Sequence, residues 1–548
     1  MTQFWLKWRL AVGLMVAGAT QALTYAAEPL PSWSLSLVQL ATMAVLVGCV
    51  WRAPNALYAA RRAWLFGLSH FAVGLYWLTI SMHVYGLMPL PIAIAALLAL
   101  SAYLALFIAF AAWLTHRFGL DPTRAPHTLG KPLWAALIWA AAWTVGEWLR
   151  ANLFTGFPWL SSGYAHVDSW FAAWASIFGA YGVSFITAFV AAVIAGLIMK
   201  DPQNRDSSQT PHAVAGVIAL TIGLLGWGLG HINWTQPAGS PIALRLVQGN
   251  VEQGLKFTPA HLQEVIAQHL KLAQTPTPPN SPIPAAILLP ETVLAVFQPQ
   301  LAPSVWQAWI DVAKKQSAML LMGSALFNTN DRSYTNSVLG ITADTTIEQI
   351  QLATTGLRYD KHHLVPFGEF IPWGFRWFVD LMSIPMGDFY RGANPQAPFV
   401  IKDQRIAANI CYEDIFGDEL LGALVRTTDA SPTLSGATIL ANFSNLGWFG
   451  ESWALRQHWQ MARMRAIETS RPMVRATNTG VTGAIDQHGQ VIAMLPAHRP
   501  GVLDVSVQGQ HGTTLYARVG DWAILLLSLV VLIAAGFMKS RHHARRNT

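Results

Sequence analysis

The chain has 548 residues, of which 53% are apolar and only 11% charged, where a globular protein carries about 25% charged residues. That balance, with 24 Trp and 25 Phe, excludes an ordinary water-soluble domain and points to an integral membrane protein too long for one domain. The net charge of +7 does not mark a nucleic-acid binder: no basic patch is interleaved with aromatics, and the basic residues stand mostly at the ends of apolar segments.

A spanning helix needs about 20 mostly apolar residues. In chain order, eight segments are candidates: 10–27, 33–51, 63–82, 88–115, 132–150, 170–199, 213–232 and 520–538. Lys7 and Arg9 precede the first span. Arg52, Arg61 and Arg62 separate the second from the third, and Arg117, Arg124 and Lys131 the fourth from the fifth. Lys200 and Arg205 follow the sixth; Lys539, Arg541, Arg545 and Arg546 follow the eighth. The alternate loops hold almost no basic residue, Arg150 being the main exception. The bias predicts a cytoplasmic side carrying both termini, with the long segment between spans seven and eight facing outward. The first span, with its basic start and Ala26-Ala27, also fits a signal peptide, whose removal leaves the rest of the topology unchanged. Glu147 and Arg150 close the fifth span near its outer end. Ionisable residues there are functional by default, and snorkelling to the interface is an equal reading. The Phe157-Pro158-Trp159 loop reads as an interface anchor.

From about Pro241 the pattern changes. Ile242–Val247, Ala286–Leu289, Met319–Met322, Ser337–Ile341, Ile406–Ile410, Thr438–Phe443, Met473–Thr477 and Val502–Val505 are apolar runs of strand length. Leu262, Val265, Ile266 and Leu270 mark one amphipathic helix face, and Val305, Trp306, Trp309 and Ile310 another. Alternating strands and helices predict one α/β or layered α-β domain. The expected division is 1–235 for seven membrane helices, 236–519 for the outward domain, and 520–548 for an eighth helix with a basic tail.

Chemistry gathers where these strands end. Leu288-Leu289-Pro290-Glu291 puts Glu291 just past a strand. Tyr359-Asp360-Lys361-His362-His363-Leu364-Val365-Pro366-Phe367-Gly368-Glu369 carries Lys361 and Glu369. Asn409-Ile410-Cys411-Tyr412-Glu413-Asp414 puts Cys411 past another strand. The chain has only two cysteines; Cys49 lies inside an apolar span and reads as packing. A cysteine nucleophile needs a base and a group to hold the oxyanion, and a carboxylate with a neighbouring ammonium supplies both. Each residue has a plainer reading: Cys411 as buried packing, Glu291 as a surface or helix-start carboxylate, Lys361 as a solvated loop residue, and Glu413 as an ion-pair partner of Arg463 or Arg465. Asn442, Ser444 and Asn445 follow another strand and are candidates to line the site. His362-His363 invites a metal reading, but there is no HExxH and no cysteine ligand cluster, so neither metal nor cofactor is expected.

Glu, Lys and Cys in these three motifs resemble the nitrilase superfamily, and such a domain inserted before the last of eight spans resembles the bacterial apolipoprotein N-acyltransferase family. The resemblance covers essentially the whole chain. It implies a multi-span α-helical membrane domain plus an α/β nitrilase-like α-β-β-α sandwich domain on the periplasmic side of the inner membrane. It implies Glu291 as general base, Cys411 as nucleophile and Lys361 as stabiliser of the tetrahedral intermediate, with Glu369, Tyr412 and Glu413 in support. The implied reaction moves an acyl chain from a phospholipid, often phosphatidylethanolamine, to Cys411 as a thioester. From there it passes to the α-amine of a diacylglyceryl-cysteine on an apolipoprotein. One departure is at Gln248-Gly249-Asn250, followed by Leu255-Lys256-Phe257 where the family tends to carry Trp; Phe257 keeps an aromatic ring but no indole N–H. Phe367–Phe389 is rich in large apolar residues, and Trp373, Trp377 and Phe378 are read as a lipid-gating lid hinged at Gly368 and Gly374, or else as core. The protein is expected to act as a monomer without nucleic acid. Rival readings are a membrane-tethered amidase that discharges the acyl-enzyme to water, a transporter with an accessory domain, and a catalytically dead binding module.

Overall fold

The computed structural model describes residues 2–26, 29–119, 130–198, 210–256, 258–279, 281–329, 331–374, 376, 388–424 and 436–544. The chain divides into two compact units: 1–79, 90–232 and 519–548 form one, and 80–89 with 233–518 the other.

The first unit is helical. Helices Thr2–Ala22, Ser32–Trp51, Ala56–Gly74, Leu90–Phe118, Gly130–Asn152, Ala175–Ile198, Thr210–Leu229 and Trp522–Ala544 overlap the eight segments expected; the expected 63–82 is broken after Gly74, where the chain bends by 58° into Leu78–Tyr85. By length and composition, Ser32–Trp51, Leu90–Phe118, Ala172–Ile198 and Trp522–Ser540 each suffice to cross a membrane. Between apolar helices, close approach replaces the hydrophobic drive, so small residues mark the contacts. A Cβ at Gly18 would fall 2.1 Å from the Phe66 carbonyl.

Glu147 and Arg150 do not snorkel. Both are buried, and they tie down the loop that follows their helix. Arg150 donates to the carbonyls of Phe157 and Trp159, each at 2.6 Å, and to Ser161 Oγ at 2.9 Å. Glu147 Oε1 accepts from the Ser162 N–H at 2.7 Å and from Trp143 Nε1 at 3.0 Å. Trp159 is consequently not an exposed anchor. It is buried against Trp77, ring centres 5.0 Å apart, because the chain folds back on itself to satisfy the arginine. Cys49 is partly buried, and its carbonyl accepts from Arg62 at 2.6 Å.

The second unit is built on two six-stranded sheets. Their strands are β2 (Ile242–Gln248), β3 (Ala286–Leu294), β4 (Met319–Phe327), β5 (Tyr334–Ile341), β6 (Arg358–Asp360), β7 (Phe399–Ile401), β8 (Gln404–Ile410), β9 (Ile439–Ser444), β10 (Met473–Thr477), β11 (Gly483–Ile485), β12 (Val491–Met494) and β13 (Gly501–Val507), with β1 (Thr235–Pro237) and β14 (Gln510–Gly512) forming a separate pair. One sheet runs β13-β2-β3-β4-β5-β6 and the other β12-β11-β10-β9-β8-β7. In each, the central neighbours are parallel, β2 with β3 and β3 with β4, β8 with β9 and β9 with β10. Parallel strands are buried on both faces and so read as continuous apolar runs, which is why these were visible in sequence.

The sheets face each other across one core, Leu244, Leu246, Leu288 and Val338 meeting Ile406, Ile410, Phe443 and Val474. Helices Leu262–Ala273 and Pro303–Gln316 cover the outer face of the first sheet through Ile266, Trp306 and Trp309. Helix Trp453–Thr469 covers that of the second through Trp459, Ala462 and Ala466. The result is an α-β-β-α sandwich. β1 and β14 pair antiparallel, Thr235 opposite Gly512, which closes the two ends of the insert on each other.

Candidate active site

A bulge in β3 and the ends of β6 and β8 converge. β3 and β4 run in parallel register until Leu289, opposite Met322, and pair again only at Leu294, opposite Ser324. Residues 290–293 therefore bulge, and a bulge re-aims a side chain. Gly323 makes room, since a Cβ there would lie 2.5 Å from Glu291 Cα. Glu291 thus sits within β3 rather than beyond it. Its Oε1 accepts from Asn336 Nδ2 at 2.8 Å and its Oε2 from the Asn445 N–H at 2.8 Å.

Lys361 follows β6 directly, its N–H bonded to the Asn336 carbonyl at 2.8 Å. Its buried ammonium is 2.9 Å from Glu369 and 3.6 Å from Glu291 Oε1. Asn336 Nδ2 also donates to Glu369 Oε1 at 2.7 Å, so one amide spaces the two carboxylates around one ammonium. Burial acts to lower the Lys361 pKa, but the charges of Glu369 and Glu291 outweigh it and hold the ammonium above its ordinary value.

Cys411 starts the turn Cys411–Ile415 at the end of β8. Its φ is +51°, a left-handed conformation that costs a residue with a side chain about 1–3 kcal/mol and clusters at functional sites. Asn442 Nδ2 holds the Cys411 carbonyl at 3.1 Å and Asn409 Oδ1 at 2.7 Å, while the Ser444 hydroxyl bonds Asn442 Oδ1. Burial, then the charge of Glu291, pushes the Cys411 thiol well above its ordinary pKa, with Lys361 opposing.

Glu413 ties the cysteine turn to the lysine loop. Its Oε2 accepts from the Ile410 N–H at 2.6 Å and Tyr359 Oη at 2.9 Å; its Oε1 accepts from the N–H groups of His362 at 2.6 Å and His363 at 3.0 Å. These partners replace the arginine pairing considered from sequence. Arg465 instead pairs with Glu468 at 2.9 Å, and Arg463 donates to the Gly489 carbonyl at 2.8 Å. Burial pushes the Glu413 carboxyl up to about 7, against the lowering effect of the Ile410 N–H and the Lys361 charge. Tyr412 packs edge-on to Phe416 at 5.2 Å. His362 Nδ1 meets the Gly392 carbonyl at 2.9 Å and His363 Nδ1 meets Glu419 at 2.7 Å.

Glu291, Lys361, Cys411, Glu369 and Glu413 are therefore brought together, with Asn442 and Asn445 beside them. Of the gating residues, Trp373 is 99% exposed and precedes Gly374, whose φ is +85°. The far end of that segment is anchored by Phe389, buried against Tyr334 at 4.9 Å. Phe257, Trp377 and Phe378 lie outside the described residues.

Sequence reasoning missed Asn336, Lys256 and the cluster beneath the cysteine turn, where Asp414 bonds both His458 and Arg475. Asn336 had a signal, a lone amide at the head of an apolar strand; Lys256 had none.

Within this layered domain, residues 244–514 match the carbon-nitrogen hydrolase family. Residues 18–193 match the apolipoprotein N-acyltransferase N-terminal domain. The apolipoprotein N-acyltransferase of Bordetella bronchiseptica is 52% identical over 538 residues, 96% of each chain. That of Ralstonia nicotianae is 41% identical over 93% of this chain and 90% of its own, and that of Nitrosomonas europaea 36% identical over 92% and 93%. The chain belongs to the apolipoprotein N-acyltransferase family, a family of membrane proteins.

Proposed function

We propose that this protein transfers an acyl chain from a phospholipid to the N-terminal amine of diacylglyceryl-cysteine on apolipoproteins, by way of a thioester on Cys411. The observation that carries the reading is the convergence of Glu291 from the β3 bulge, Lys361 from the end of β6 and Cys411 from the end of β8, in a chain whose relatives bear the name N-acyltransferase. A thiol with a raised pKa is protonated at neutral pH, so its proton must leave during attack, and a carboxylate within reach of the ammonium is the base available.

Glu291 takes the Cys411 proton as sulfur attacks the phospholipid ester carbonyl. The oxyanion that forms is stabilised by the Lys361 ammonium. Collapse breaks the ester C–O bond, and Glu291 returns the proton to the departing lysophospholipid oxygen. In the second half, the α-amine attacks the thioester carbonyl, Glu291 accepts the amine proton, and collapse of the intermediate releases the amide and reprotonates sulfur. Glu369 keeps Lys361 in place, and Glu413 with Tyr412 supports the cysteine turn. Trp373, with Phe257, Trp377 and Phe378, forms the lipid-gating part. The division 1–235, 236–519 and 520–548 goes with this reading, as do eight spans in the inner membrane, a periplasmic catalytic domain and a monomeric state.

The runner-up is discharge of the acyl-enzyme to water. A purified protein mixed with phosphatidylethanolamine and a synthetic diacylglyceryl-cysteine peptide separates the two. Triacylated peptide with little free fatty acid supports transfer; free fatty acid with unmodified peptide supports the hydrolase.

A further inference from the structure

The turn Gln253–Lys256 carries a lysine that the mechanism above does not use. Lys256 is 2% exposed, although lysines are almost never fully buried unless paired. Among the described residues its side chain makes one hydrogen bond: Nζ donates to the backbone carbonyl of Glu291 at 3.0 Å. That carbonyl belongs to the peptide leading into Thr292, whose φ is +50°, and a β-branched residue takes this left-handed conformation only under constraint. The same turn reaches Glu291 by a second route. Gln253 Oε1 accepts from Asn445 Nδ2 at 2.9 Å, and the Asn445 N–H donates to Glu291 Oε2 at 2.8 Å. Asn478 fixes the turn from behind, donating to the Val251 carbonyl at 2.8 Å and accepting from its N–H at 2.9 Å.

Resting on the reading of Glu291 as the base, we propose that Lys256 is a positioning residue: it holds the Glu291–Thr292 peptide in its strained orientation and so aims the Glu291 carboxylate at Cys411. Burial pushes the Lys256 ammonium down to about 7, the Glu291 charge opposing it. Its neighbour His269 is itself pushed down to about 4, by burial first, with Lys256 adding to the effect, and so is neutral at neutral pH. A buried amine bonded to the Glu291 carbonyl is not a solvated surface charge.

The test is single-turnover acylation of Cys411 by phosphatidylethanolamine in mixed micelles, followed by intact mass. Lys256→Met should slow acylation at saturating phospholipid by about 10- to 100-fold, the effect of losing one charged hydrogen bond at a catalytic group. The half-saturating phospholipid concentration should stay within about twofold. Lys256→Arg, which keeps a cationic donor, should recover most of the rate. Acylation by Lys256→Met at the wild-type rate overturns the proposal, as does an equal loss in Met and Arg variants. If the Met variant does not fold, Lys256→Gln, a shorter uncharged donor, is measured in its place: a rate between those of Arg and the Glu291→Gln variant supports the clamp, and the wild-type rate overturns it. Failure of the wild-type protein itself to acylate would instead refute the function proposed above.

Discussion

At Cys411 the backbone turns left-handed, and the thiol it presents is held well above its ordinary pKa by burial and by the Glu291 charge. A thiol in that state does little without a base. Cys411→Ala should abolish acyl transfer with expression intact, while Cys49→Ala, partly buried among apolar helices, should leave activity unchanged. Glu291→Gln should slow formation of the acyl-enzyme itself by about 10²–10⁴-fold, the usual contribution of a general base. Accumulation of acyl-enzyme at the wild-type rate would remove Glu291 from that role. Glu413 acts at one remove, since its two oxygens join Ile410, ahead of the cysteine, to His362 and His363, behind the lysine. Glu413→Gln leaves one oxygen to do the work of two, and acylation should fall by about tenfold; an unchanged acylation rate contradicts it. The motifs at Glu291, Lys361 and Cys411 were legible because each is a short polar break beside an apolar run, although Glu291 lies in the bulge of β3 and not past its end. Asn336 showed only as a lone amide at the head of an apolar strand and Lys256 not at all, because the groups they touch, Glu369 and the Glu291 carbonyl, lie far off in the chain.

Among elements, the eight strands read from sequence all exist; Met473–Thr477 keeps its bounds, β9 shifts by one residue to end at Ser444, and the other six are longer by one to five residues, as where Asn336 continues the ladder of β5. Those not read are short: the edge strands β6, β7 and β12, the neighbouring β11, and the separate pair β1 and β14. β12 is largely exposed, and three or four residues carry too little periodicity to register. Helix Trp453–Thr469 escaped for the opposite reason. Fifteen of its residues are buried, Gln457, His458, Arg463 and Arg465 among them, so it shows no apolar stripe; several of its polar side chains pair inside the domain, as His458 does with Asp414. In the segment from Phe367 to Phe389 the ends are fixed while Trp373 is exposed. If it serves as a lid, Trp377→Asp with Phe378→Asp should slow acylation from phospholipid vesicles by about tenfold or more, with reaction of Cys411 toward a small soluble thiol reagent nearly unchanged. Equal loss of both, with a lowered melting temperature, would make these residues core.

For the whole molecule, hydropathy located every long helix of the membrane unit, because a bilayer demands long apolar runs. It misjudged the Phe157–Trp159 loop, since an aromatic cluster looks the same whether lipid or Trp77 covers it. Orientation rests on the Lys and Arg bias. With Cys49 and Cys411 removed, cysteines at Ser207 and Ser304 should differ on intact spheroplasts: an impermeant thiol reagent should label the position at 304 only, and labelling at 207 alone would invert the topology. The central claim is a covalent one, and intact mass analysis after incubation with phosphatidylethanolamine tests it most directly. The account predicts a mass gain of one acyl group, mapped to Cys411, released by neutral hydroxylamine and absent from Cys411→Ala. Triacylated peptide formed with no acyl adduct on Cys411, or by the Cys411→Ala protein, would contradict it.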